Sequence, residues 1–114
     1  MKKKHITAPF ELLVAIVERG KSEKVSEILK VHDCIFTLTT LGQGTARSEA
    51  ADIFGFGIVD RDVVWALVNP LMSQRILDTL NNVLELNQPQ RGIAMCIPIN
   101  SASNLMLDTL GINY

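Results

Sequence analysis

The sequence predicts an α+β domain, a four-stranded antiparallel sheet carrying two helices on one face. Two observations predict it. The chain reads as two similar halves, each an apolar strand pattern, an amphipathic helix pattern and a second strand pattern. Each helix then serves as the crossover that two parallel strands require. A third observation points to function. Leu41 is followed by Gly42-Gln43-Gly44-Thr45-Ala46, and the chain runs on to Gly55-Phe56-Gly57 before the next strand begins. Neighbouring strands of a small domain are usually joined by ~2–5 residues, so a connection of roughly twenty is either functional or disordered.

The elements follow in order. Residues 10–17 form a nearly continuous apolar run containing Val14, Ile16 and Val17, as expected of a central strand. Arg19-Gly20-Lys21-Ser22 breaks it. Ser22 suits a helix N-cap, with Glu23 in the first turn, where the macrodipole favours a carboxylate. Val25, Ile28, Leu29 and His32 fall at helical spacing, with Lys24, Glu27 and Lys30 on the other faces. Asp33 and Cys34 lead into a second strand over 35–41, where Thr37, Thr39 and Thr40 suit a pleated surface.

The second half repeats the order. Residues 63–68 read as a buried strand ended by Asn69-Pro70, and Pro70 suits a helix start because its missing N–H has no intrahelical partner there. Ile76, Leu77, Leu80, Val83 and Leu84 mark an amphipathic helix reaching Leu86. After a loop over 87–92, residues 93–99 form the last strand, with Pro98 near its end, where a missing donor is tolerated. This βαββαβ order is the ferredoxin-like, split-βαβ arrangement, with expected strand order 4-1-3-2. The domain spans 10–100, with a flexible tail at 1–9, the long loop at 42–60, and a tail at 101–114. That last tail carries Leu105, Met106, Leu107 and Leu110, which suit docking as a short helix.

Composition narrows the classes. The 114 residues suffice for one domain with a real core. They are 47% hydrophobic, with a net charge of −1, so no overall field recruits nucleic acid or an anionic membrane. RNA binding through the sheet needs strand aromatics and a basic surface; the strands offer Phe10, Phe36 and Trp65 without that pattern. Lys2-Lys3-Lys4 reads as a solvated terminal run. No run has the pattern of a signal peptide or approaches the ~20 apolar residues of a membrane span. Cys34 and Cys96 lie in or beside apolar strands without CxxC spacing, which suits reduced thiols of a cytoplasmic protein. On strand order 4-1-3-2 they belong to opposite edges, so no intrachain disulfide is expected.

Candidate site residues cluster at the loop and near its return. Gly42-Gln43-Gly44-Thr45 either cradles an anion with backbone N–H groups or is a plain exit turn from a strand. Arg47 and Arg91 are forks suited to a phosphate or carboxylate, or else solvated charges. Ile53, Phe54 and Phe56 give the loop an apolar tip, able to pack on its own subunit, enter a subunit contact or meet a partner. Glu49 and Asp52 read as a solvated face. No catalytic constellation, P-loop or repeated metal-ligand spacing is visible. His5 and His32 are isolated, and no metal site is expected.

These residues carry a family resemblance. Ala15-Ile16-Val17, Leu41-Gly42-Gln43-Gly44 at the head of the loop, and Gly92 leading to Pro98 resemble the PII signalling proteins, the nitrogen regulatory superfamily, in a divergent short-loop branch. The resemblance covers roughly residues 10–100. It implies a homotrimer with effector sites in the clefts between subunits, near the base of a loop that reports to a target protein. It implies no enzyme activity and no required cofactor, with an adenine nucleotide as one candidate effector. Carried over to this chain, the effector-binding residues are Gly42, Gln43, Gly44, Thr45, Ala46, Arg47, Arg91 and Gly92, and the partner-binding loop residues are Ile53, Phe54 and Phe56.

The chain also departs from the family pattern. The PII loop opens Gly-Phe-Gly-Arg-Gln, and its ligand-holding glutamine is replaced here by Ala46. Ile93 stands where PII proteins place a phosphate-binding lysine, and no Lys or Arg follows Arg91. Tyr114 is the only tyrosine, so the loop cannot be uridylylated on tyrosine. The other class of function compatible with the sequence is a small ferredoxin-like enzyme or ligand-handling oligomer with a cleft active site. Assembly is expected because Ile35, Leu38, Val64 and Leu67 lie in strands whose two faces cannot both be covered by two helices. Leu67→Asp, if that residue faces away from the helices, is then expected to dissociate or unfold the protein.

Overall fold

A computed structural model describes residues 10–34, 36–43 and 60–100. In chain order the elements are β1 (Glu11–Glu18), α1 (Ser22–Val31), β2 (Phe36–Gln43), β3 (Asp60–Val68), α2 (Pro70–Leu84) and β4 (Gly92–Pro98). The strands form one sheet in the order β2-β3-β1-β4, each neighbouring pair antiparallel. This is the expected α+β, ferredoxin-like arrangement. β3 lies between the parallel pair β1 and β2, and β1 lies between the parallel pair β3 and β4.

Alternation along the strands sorts side chains between two faces. Leu13, Ala15 and Val17 of β1 and Val64, Ala66 and Val68 of β3 point toward the helices. They meet Val25, Ile28 and Leu29 of α1 and Ile76, Leu80 and Leu84 of α2 in one core. Asn69 caps α2, its side chain accepting from the Leu71 amide at 2.9 Å. The sequence expectation for α1 differs in detail: Lys21 holds the N-cap position without a side-chain bond, and Ser22 is the first helical residue. Val83 also departs from its expected place, being exposed, as is Leu71.

Among the described residues no helix covers the other sheet face. By register it carries Leu12, Val14 and Ile16 of β1, Val63, Trp65 and Leu67 of β3, Phe36 and Leu38 of β2, and Ile93, Met95 and Ile97 of β4. Phe36, Leu38, Met95 and Ile97 are exposed there, whereas Leu67 is only 3% exposed among its neighbours. Val64 faces the helices instead, with its side chain in the core. Trp65 keeps its indole N–H paired on the open face by donating to Thr40 Oγ1 at 3.0 Å.

The strand bounds shift toward one end of the sheet. β2 runs on through Gly42 and Gln43, which pair with Arg61 and Asp60. β3 therefore starts at Asp60, three residues before its apolar run. Hydropathy could not show this, because the added pairs are polar or glycine and are held by backbone bonds. Among the described residues no helix is long and apolar enough to cross a membrane.

Candidate functional site

Four strand termini meet at one end of the sheet: the ends of β1 and β2 and the starts of β3 and β4. β1 and β3 bring Glu18, Asp60, Arg61 and Asp62 there, and the adjoining turns bring Arg19 and Arg91. The β1–α1 turn is closed by the Lys21 amide donating to the Glu18 carbonyl at 3.0 Å, with Gly20 at φ 94. The Gly20 amide donates to Asp62 Oδ2 at 2.8 Å, and Arg19 lies 3.4 Å from carboxylate oxygens of both Asp60 and Asp62. Asp62 is 5% exposed, so these donors replace the water it loses.

A second set of contacts ties down the turn before β4. Arg61 is 6% exposed and sits opposite Glu18 across β1. Its Nη1 donates to the Gln90 carbonyl at 3.1 Å. Gln90 has φ 66, a left-handed conformation that costs a residue with a side chain of order 1–3 kcal/mol and persists where surrounding contacts hold it. Arg91 reaches Glu18 at 3.3 Å and Glu85 at 3.7 Å, all three side chains being partly exposed. Such exposed pairs are individually weak, about 0–1 kcal/mol, and are readily exchanged for another anion.

Between these two sets lies a cleft of about 530 Å³ lined by Glu18, Arg19, Asp60, Arg61, Pro89, Gln90 and Arg91. That volume falls within the ~300–1,000 Å³ of small-molecule sites, but the walls are mostly polar where such sites are usually apolar. Two of the cleft's guanidinium groups, those of Arg19 and Arg91, already pair with carboxylates. An anion entering here competes with Glu18 and Glu85 for Arg91, and with Asp60 for Arg19.

Of the residues expected to bind an effector, Arg91 lines this cleft. Gly42 and Gln43 lie at the same end of the sheet but on the β2 edge, across β3 and β1 from Arg91. Gly92 instead lines a smaller cavity of about 330 Å³ between α2 and β4, with Leu77, Leu86 and Ile93. Its glycine identity has a local cause. At φ 129, a Cβ would run into the Ile16 carbonyl oxygen and lie 3.0 Å from Val17 Cα. Gly44, Thr45, Ala46, Arg47, Ile53, Phe54 and Phe56 lie outside the described residues.

Sequence reasoning missed Arg19, Asp60, Arg61 and Asp62. A signal was present, since Asp60-Arg61-Asp62 is a charged triplet joined directly to the apolar run of β3. The two thiols lie outside this cleft. Burial pushes the thiols of Cys34 and Cys96 up from their ordinary range; for Cys96 the Ser73 hydroxyl opposes this and the Glu11 carboxylate adds to it. Cys34 lies just before β2 and Cys96 within β4; those two strands are the opposite edges of the sheet, three strand spacings or about 14 Å apart, and both cysteines are free thiols. His32 sits at the end of α1, with Nδ1 2.8 Å from the Ile28 carbonyl oxygen. Among the described residues no three His, Cys, Asp or Glu side chains come together as a metal site.

Comparison with solved structures identifies the fold. A DUF3240 family protein from Shewanella baltica matches with a TM-score of 0.63 at 14% identity, covering 85% of this chain and 97% of that one. CPII from Thiomonas intermedia K12, solved bound to ADP, AMP and acetate, matches with a TM-score of 0.63 at 15% identity, covering 86% and 93%. The B. subtilis GlnK–ATP complex matches with a TM-score of 0.60 at 15% identity, covering 87% and 90%. No protein-family model and no curated protein sequence matches the chain. The chain has a PII-like fold, as its sequence resemblance implies.

Proposed function

We propose that this protein is a PII-like trimeric regulator. A small anionic effector, an adenine nucleotide, binds in clefts between subunits, and the 42–60 loop passes its presence to a target protein. The observation that carries this reading is the convergence of Arg19, Arg61 and Arg91 at the sheet end where β2 leaves for the loop and β3 returns from it. A ligand engaging that cleft biases loop conformations through contacts made in one of them. The nucleotides in the CPII and GlnK structures support the choice of effector class. The apolar sheet face that no described helix covers supports assembly, since three such faces around one axis bury one another with closed symmetry. Ile53, Phe54 and Phe56 are the residues by which the loop would grip its target, and Gly44, Thr45, Ala46 and Arg47 complete the effector set at its base.

The test is isothermal titration of the full chain with ATP, ADP, AMP, cyclic dinucleotides and small dicarboxylates, beside light scattering. One adenine nucleotide is expected to bind once per subunit of a trimer. Arg91→Ala is expected to weaken it by about tenfold or more, since a charge-assisted hydrogen bond is worth about 1.5–3 kcal/mol. Silence across the panel, or a stable wild-type monomer at micromolar concentration, overturns the reading.

A further inference from the structure

We propose that Arg61 is a positioning residue coupling the turn that lines the cleft to the base of the long loop. The proposal rests on the cleft being the effector site. At one end, Arg61 belongs to the β2–β3 ladder, paired with Gly42, the next-to-last residue of β2. At the other, its guanidinium spans the end of β1 and holds the Gln90 carbonyl at 3.1 Å. Two strand spacings separate β3 from β4, about 10 Å, which an extended arginine and one hydrogen bond bridge. A lysine has the reach but not the fork that fixes direction.

The turn it holds joins α2 to β4. Glu85, Gln90 and Gly92 all have positive φ, at 55, 66 and 129. Arg91, next to the tethered carbonyl, is held outside by the exposed carboxylates of Glu18 and Glu85. An anion that draws Arg91 away from them displaces the Gln90 peptide. The buried guanidinium of Arg61 must follow that carbonyl or lose it, and either response is delivered to the strand pair Arg61–Gly42. The coupling thus runs through one side chain whose two ends sit at the two places concerned.

Amide chemical shifts of the ¹⁵N-labelled full chain test this in two arms. In the first, which needs no ligand, Arg91→Ala is expected to shift the Gly42 and Asp60 amides in the Arg61 background. The shifts fall at least threefold when Arg61→Gln is also present, a double-mutant cycle on the spectrum. In the second, ADP, AMP and ATP are titrated. Wild type is expected to respond at residues 89–92 and at Gly42, whereas in Arg61→Gln, titrated to the same fractional saturation, the Gly42 response falls at least threefold relative to that at 89–92. Equal responses at Gly42 with and without Arg61 overturn the coupling. No response anywhere to any nucleotide overturns the effector reading and leaves the first arm to decide the coupling. If Arg61→Gln does not fold, Arg61→Lys replaces it in both arms; an undiminished Gly42 response there overturns the proposal.

Discussion

Replacing the chain's glycines one at a time by alanine separates backbone necessity from ligand contact, and Gly92 is the decisive case. Two costs add there. At φ 129 an alanine is strained by about 1–3 kcal/mol. Its Cβ also collides with the Ile16 carbonyl oxygen and with Val17 Cα at 3.0 Å, both backbone atoms of the central strand β1 that cannot rotate away. Overpacking of that kind costs a further 1–3 kcal/mol or so. The total, about 2–6 kcal/mol, is a large part of the ~5–15 kcal/mol that holds a domain folded. Two controls calibrate it. Gly20, at φ 94 with nothing near its Cβ position, is expected to lose only the strain. Gly42, without positive φ and 3.0 Å from the Val63 methyl, is expected to lose less than about 1 kcal/mol, because a side chain can give. Urea unfolding of the three variants measures the series, expected in the order Gly92 > Gly20 > Gly42. A Gly92→Ala protein within about 0.5 kcal/mol of wild type refutes the reasoning, since surface changes alone produce that much.

Other predictions concern the sheet face, the buried carboxylate and the thiols. Leu67 is almost fully buried within the subunit, so Leu67→Asp unfolds the protein whatever its assembly. Leu38→Asp, at a position 49% exposed, is the cleaner probe. It is expected to convert the proposed trimer to folded monomers by light scattering, with little change in circular dichroism, and an unchanged mass removes the sheet face from the interface. Asp62→Ala leaves the Gly20 amide without its acceptor and Arg19 with Asp60 alone, and is expected to cost about 1–3 kcal/mol in urea unfolding; a neutral effect contradicts the bonding described. Burial keeps both thiols protonated above their ordinary range, so iodoacetamide is expected to alkylate Cys34 and Cys96 more slowly than a free thiol at neutral pH. The same raised values mean that stability from the protonated thiols is complete below the ordinary cysteine range and is lost as pH rises through the folded values. Alkylation at the free-thiol rate contradicts the burial.

What the sequence determined by itself was the order and type of the elements and the sheet they form. Apolar runs at 10–17 and 63–68 and helical spacing in Val25, Ile28, Leu29 and Ile76, Leu80, Leu84 carry that information locally, because periodicity is a property of neighbours along the chain. The right-handed crossover rule then leaves few topologies, and strand order 4-1-3-2 is among them. Arg91 was legible as a candidate fork for the same reason, being a lone cation in a polar turn. The tertiary structure alone decided which charges share a cleft. Arg19 and Asp62 are far apart in sequence, as are Arg61 and Gln90, and nothing in their local patterns links them. Backbone pairing of β1 with β3 and β4 brings them together, and the hydrogen-bond ladder extends β2 and β3 past their apolar runs to Gln43 and Asp60. Gly92 shows the same division: a sequence marks it as glycine, and the close approach of β1 supplies the physical reason.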